Sequence, residues 1–195
     1  MEIRIHRAVP RGAEADAARL YGDAFGSKLR PGLGTGAVRE RFLAAALRPD
    51  RMVCAEVDGV VCGVVGLNLD GDGAFSITWR SLREHYGASA WWRMLLLLPL
   101  HREPRKGHLL LDGIAVDARM RGRGVGGRLL DEVDRIAAEQ GFDRIGLSVI
   151  DSNPRARALY ERHGYSAART ERVGALGDLY GGFRSVTKMV KEVGA

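Results

Sequence analysis

Hydrophobic positions along the chain switch between a spacing of two and a spacing of three to four, and the switches mark its elements. Residues 2–8 alternate, with Ile3 and Ile5 on one face, which predicts a first strand ended by Pro10-Arg11-Gly12. Residues 14–25 read as a helix. The stretch 26–36 carries Pro31, Gly32, Gly34 and Gly36 and is expected to be a loop on the substrate side. A second helix is expected over 37–47, before Pro49. Residues 52–57 and 60–69 then form a hairpin about Asp58-Gly59, a pair suited to a two-residue turn. That turn pairs Val57 with Val60, and hence Ala55 with Cys62.

Two helical segments follow, over 78–86 and 90–98, forming an inserted element at about 76–107. Residues 109–116 are a near-continuous apolar run, expected of a strand buried on both faces. Residues 124–140 read as a helix, with Leu129, Leu130, Val133, Ile136 and Ala137 on one stripe and Gly141 as its stop. Residues 144–150 form another buried strand. Ser152-Asn153-Pro154 supplies a capping residue and a first-turn proline for the next helix, which Gly164 ends. Two more strands, 165–172 and 183–193, complete the pattern. With no repeat and no linker, the reading is a single domain.

Composition narrows the classes. The 195 residues are 46% hydrophobic and 28% charged, as in ordinary globular proteins. The net charge of +6 favours polyanions at long range, but the basic residues are scattered. A local anion site is therefore expected and nucleic-acid binding is not. The apolar cluster 91–100 is interrupted by Arg93 and Pro99 and is too short to span a bilayer. The hairpin register sends Cys54 and Cys62 to opposite faces, which argues against a disulfide. Reduced thiols, the absence of metal-type spacing and the absence of a leader segment point to the cytoplasm and to no metal.

The chemistry concentrates in Arg121-Gly122-Arg123-Gly124-Val125-Gly126-Gly127, between a buried strand and a helix. Glycines let the backbone approach a ligand, and the helix start offers free N–H groups and a positive dipole end. Arg119, Arg121 and Arg123 add positive charge, so the site suits a pyrophosphate. Gly122, Gly124 and Gly127 also satisfy the dinucleotide-binding spacing, with Asp151 after the next strand. That reading fails on order. Five residues separate Val116 from the first glycine, and a helical region and a hairpin precede the unit.

The combination of Val116, Arg-x-x-Gly-x-Gly at 121–126, Asn153-Pro154 and Leu159-Tyr160-Glu161-Arg162-His163-Gly164-Tyr165 closely resembles the GNAT N-acetyltransferase superfamily. The resemblance is carried most strongly by residues 109–165. It implies an α/β fold (α+β by some schemes), with a central mixed sheet, splayed beside the cofactor and flanked by helices. It also implies transfer of an acetyl group from acetyl-CoA to an amine by direct attack, the acceptor being a small molecule or peptide and the protein a monomer or homodimer. A non-catalytic acyl-CoA-binding regulatory module is the alternative.

By that resemblance, Ile114 and Val116, with Ala115 between them, supply main-chain bonds to the pantetheine arm. The backbone of Arg121, Gly122, Arg123, Gly124, Val125, Gly126 and Gly127 receives the pyrophosphate. Asn153 bonds the pantetheine arm while also capping its helix. Tyr160 is either the proton donor to the departing thiolate or an aromatic that packs the helix on the sheet. Asp112 interrupts Leu109-Leu110-Leu111-Asp112-Gly113-Ile114, and a carboxylate there needs a partner or a purpose. It is either the base for the acceptor amine or the partner of a nearby arginine. Trp79, Tyr86, Trp91 and Trp92 either wall an acceptor pocket, cover the core or form a dimer interface.

Overall fold

The computed structural model describes residues 2–69, 71–100 and 106–194. Its strands are β1 (Arg4–His6), β2 (Met52–Val57), β3 (Val60–Asn68), β4 (His108–Val116), β5 (Arg144–Ile150), β6 (Ser166–Arg172) and β7 (Ser185–Glu192). Its helices are α1 (Glu14–Leu33), α2 (Gly36–Ala46), α3 (Trp79–Tyr86), α4 (Ala90–Leu97), α5 (Val125–Glu139), α6 (Pro154–Arg162) and α7 (Ala175–Leu179). The strands form one mixed sheet in the order β1-β2-β3-β4-β5-β7-β6. Among the described residues only the central pair, β4 and β5, runs parallel. Residues 101–105 of the expected insert lie outside the described residues.

Each sheet face has its own apolar core. Leu129, Leu130, Val133 and Ile136 of α5, with Tyr160 of α6, pack with Val53, Val65, Leu111, Ile145 and Leu147 on one face. Leu20 and Leu33 of α1, Phe42 and Leu43 of α2, Leu82 of α3 and Leu97 of α4 pack with Met52 and Val64 on the other. The amphipathic stripe read for α5 is thus its buried side.

The β2–β3 turn has Asp58 at φ 51° and Gly59 at φ 78°, and it pairs Val57 with Val60 as expected. The expected pairing of Ala55 with Cys62 is wrong. Glu56 pairs with Val61 and Ala55 with Gly63, so Cys62 is the extra residue of a β-bulge. The bulge turns both Cys62 and Gly63 toward α5, where a Cβ on Gly63 would lie 2.7 Å from Val125 Cγ1. Cys54 still faces the opposite core, and both thiols are free. Burial pushes the Cys54 thiol up to about 12 and raises that of Cys62.

The expected loop over 26–36 is also corrected. Helix α1 continues through Pro31 to Leu33, and only then does Gly34, at φ 73°, bond back to the Arg30 carbonyl. Of the glycines that read as breakers, Gly34 and Gly36 do part α1 from α2, whereas Gly32 is a packing residue, as is Gly26. A Cβ on Gly26 would lie 3.0 Å from Arg39 Nη1, and one on Gly32 2.7 Å from Leu97 Cδ2. Arg93 donates to the Gly32 carbonyl at 2.8 Å and Tyr86 to that of Leu33 at 3.0 Å, so the insert completes the helix end. Tertiary contact overrides the low helix propensity of Gly and Pro.

Strand β4 is not buried throughout. Leu109, Leu111 and Ala115 are buried, while its other residues are half-buried. The cause is its partnership with β5, which covers only the pairs His108–Arg144, Leu109–Ile145 and Leu110–Gly146.

Candidate functional site

Beyond Leu110, β4 and β5 share no ladder, although β4 runs to Val116 and β5 to Ile150. On its far side β4 keeps pairing with β3 up to Val116, and β5 keeps pairing with β7 up to Ile150. Two strand edges therefore face each other across a wedge without bonding. Main-chain groups on such edges are suited to an extended ligand that adds like a strand. Ile114 and Val116 line the start of the α5 side of this wedge, and Ala115 is buried toward the opposite core.

At the closed end of the wedge a second bulge interrupts the ladder. Leu67 pairs with Leu111 and Gly66 with Gly113, so Asp112 is the extra residue of β4. This explains a carboxylate in an apolar strand: the bulge removes Asp112 from regular pairing and turns it toward α1. Its Oδ2 accepts from Ala74 N–H at 3.0 Å and its Oδ1 from Asn68 Nδ2 at 3.4 Å. Among the described residues it makes no ion pair with an arginine, the partner that one sequence reading offered. The ring of Phe25 closes over Gly113 and leaves no room for a Cβ there.

At the open end lies the glycine-rich turn. Asp117 accepts from Arg119 N–H at 2.9 Å and from its guanidinium at 2.8 Å, and these bonds hold its carboxyl down to about 2. The charge of Arg119 is thus matched by its neighbour, whereas Arg121 Nε reaches the Val116 carbonyl at 3.4 Å. The four glycines divide into two pairs. Gly122 at φ 77° and Gly124 at φ 81° need the left-handed backbone, and a Cβ on either would project into open space. A Cβ on Gly126 would lie 3.0 Å from Leu159 Cδ2, and one on Gly127 3.1 Å from His163 Nε2, so these two bring α6 against α5. Gly124 is the N-cap of α5 and offers no capping side chain, which leaves the first-turn N–H groups directed outward. Val125 anchors the turn by burial.

Helix α6 begins as the sequence reading expects: Asn153 Oδ1 accepts from Ala156 N–H at 3.1 Å, and Pro154 follows. Asn153 is exposed. Tyr160 is 6% exposed and meets Tyr165 edge-on, with ring centroids 5.9 Å apart. It belongs to the α5-side core, whereas Asp112 faces α1, so the two candidates approach the sheet from opposite faces.

Two contributors escaped the sequence reading. Asn68 becomes visible only when the strand register brings it to Asp112, and Phe25 only when α1 packs over Gly113. In the insert, Tyr86 is half-buried on the α1 core and Arg93 stacks on Tyr86 and Trp92 at 4.2 and 4.5 Å. Trp79 and Trp91 are exposed. Among the described residues, no group of three or more metal-ligating side chains occurs and no helix is long and apolar enough to cross a membrane.

A model of the acetyltransferase (GNAT) family matches residues 18–165. A search of curated proteins found no matching sequence. Among solved structures, the chain is similar to one described as an acetyltransferase, with 23% identity, TM-score 0.65, and 97% of this chain and 99% of that chain covered. It is similar to an acetyltransferase of the GNAT family from Streptococcus pneumoniae, with 22% identity, TM-score 0.62, and 99% and 100% covered. It is also similar to a GCN5-related N-acetyltransferase from Kribbella flavida, with 17% identity, TM-score 0.63, and 97% of each chain covered. These likenesses establish the fold.

Proposed function

The chain belongs to the GNAT acetyltransferase family, and we propose that it transfers an acetyl group from acetyl-CoA to an amine of a small molecule or peptide. The observation that carries this reading is the end of the β4–β5 ladder at Leu110–Gly146, in line with the glycine-led start of α5. A ligand with an extended amide-bearing arm and a pyrophosphate matches both features at once. The arm pairs with main-chain groups of Ile114 and Val116, and the pyrophosphate meets the N–H groups from Arg121 to Gly127. The exposed amide of Asn153 adds a bond at the mouth.

The residues then divide the work. Main-chain N–H groups near Val116 polarise the thioester carbonyl. Asp112, on the α1 side of the sheet, receives the proton that the amine loses on attack, directly or through water. Tyr160, on the α6 side, gives its hydroxyl proton to the departing sulfur, whose ordinary thiol pKa of about 8.5 makes a nearby donor useful. Placing base and acid on opposite faces keeps the proton taken from the amine apart from the proton given to the sulfur.

The test is a screen of amine acceptors with acetyl-CoA as donor, following release of the CoA thiol. Calorimetry with CoA and with NAD accompanies it. Saturable CoA binding with amine-dependent thiol release supports the proposal. Preference for NAD would overturn it, and CoA binding without turnover on any amine would leave a binding module instead of an enzyme.

A further inference from the structure

Asn68 sits at the level of the sheet where the wedge begins. It pairs with Leu110 of β4, and Leu110 pairs in turn with Gly146 of β5. It is 7% exposed, its Nδ2 donates to Asp112 Oδ1 at 3.4 Å, and its Oδ1 is buried without a partner among the described residues. A carboxylate oxygen can only accept from it, so Nδ2 must face Asp112 and the orphaned oxygen must face the interior. An unpaired buried acceptor is unfavourable, and an apolar side chain of similar size would avoid it. The asparagine therefore answers to the carboxylate beside it and not to apolar packing.

We infer that Asn68 is a positioning residue: its amide, together with Ala74 N–H, fixes the Asp112 carboxylate toward the acceptor amine. The inference rests on the acetyltransferase reading above and goes beyond it by naming what aims the base. Asp112 Oδ2 is held by the 73–74 backbone, where a Cβ on Gly73 would lie 2.5 Å from that oxygen. Asn68 holds the other oxygen. One donor on each oxygen restrains rotation of the carboxylate about its last bond. Gly73 lets the backbone donor come close, and β3 supplies the second donor from the strand that pairs with β4.

The experiment compares Asn68→Leu, Asp112→Asn and the double variant, measuring kcat and KM with an accepted amine, CoA affinity by calorimetry, and Tm. Leucine fills the amide's volume and removes the orphaned oxygen along with one donor to Asp112, opposing effects, so Asn68→Leu should fold with a Tm close to that of wild type. Its kcat should nevertheless fall roughly tenfold, with CoA affinity within about twofold of wild type. In the Asp112→Asn background the same change should cost nothing further, because Asn68 acts through that carboxylate. An active wild type whose Asn68→Leu variant keeps full kcat, or whose loss recurs undiminished with Asp112→Asn, overturns the inference alone. Undiminished turnover in Asp112→Asn removes the base, and the inference with it. A wild type that binds CoA but turns over no amine overturns the functional reading, and this inference falls with it.

Discussion

Leu110 is the last residue of β4 to pair with β5, and its partner is Gly146. A Cβ on Gly146 would lie 2.9 Å from Leu110 Cδ2, so the leucine side chain packs where a larger neighbour would stand. The two strands are thereby held tightly at one end and released at the other. Everything proposed for the site follows from that release.

At Gly124 the backbone holds φ 81° with open space where a side chain would be. Gly124→Val should thus leave a folded protein, destabilised by about 1–2 kcal/mol for the left-handed residue. CoA affinity should drop by at least roughly tenfold, since the added bulk occupies the approach to the α5 start. Calorimetry beside thermal unfolding checks this, and unchanged affinity in folded protein would remove the turn as the phosphate site.

Tyr160→Phe retains the ring that packs beside Tyr165 and deletes only the hydroxyl. Turnover should fall by roughly 10²–10⁴-fold, the usual range for a lost general acid. CoA affinity should change much less, because most expected contacts are main-chain. Steady-state rates beside CoA titration decide it. Near-normal turnover would leave water or another group to protonate the sulfur, without removing the acyltransferase reading.

Cys54 is a pH probe of the α1-side core. Its folded pKa of about 12 lies above the unfolded value of about 8.5, so its contribution to stability is complete below the latter. As pH rises from there toward 12, that contribution is lost. Denaturant midpoints between pH 8 and 11 should fall more steeply for wild type than for Cys54→Ala. A native-state thiol titration should also find Cys54 unreactive until the protein unfolds. Prompt labelling at pH 8 would contradict the burial.

Gly32→Ala tests the corrected helix. The new methyl would meet Leu97 Cγ and Cδ2 at 2.7 Å, and overpacking of this kind costs about 1–3 kcal/mol. If residues 26–36 were a surface loop, alanine there would be neutral or slightly stabilising. Chemical denaturation of the variant separates the two.

Much of the fold was legible because its elements carry strong periods. The α5 stripe, the 144–150 strand and the Asp58-Gly59 turn stand where the sequence reading expects them. The glycine turn, Asn153 and Tyr160 were located by local motifs, which survive in sequence because each depends on residues a few positions apart. What escaped the reading depends on register. Neither bulge leaves a local mark, so the pairing of Ala55 with Gly63 and the exclusion of Asp112 from its ladder were invisible. Gly32 reads as a breaker because sequence does not record which helix lies against it. Asn68 is separated by 44 positions from the carboxylate it touches, and no spacing rule connects them.

The order of the sheet divides the molecule into two parts that follow each other along the chain. Strands β1 to β4 form an antiparallel leaf from the first part of the chain, and β5, β7 and β6 form another from the last. Helix α5 is fastened to the first leaf: Arg7, just after β1, donates to Glu132 at 2.6 Å and to Glu139 at 2.8 Å. A cut between Gln140 and Gly141 would therefore separate two fragments, each with its own complete hydrogen-bonded leaf, joined by three ladder pairs and by the packing of α5 on β5 and α6. A ligand lodged in the wedge would touch both leaves, and would act as the clasp of a split protein. Fragment complementation that strengthens when CoA is added would turn that wedge into a sensor.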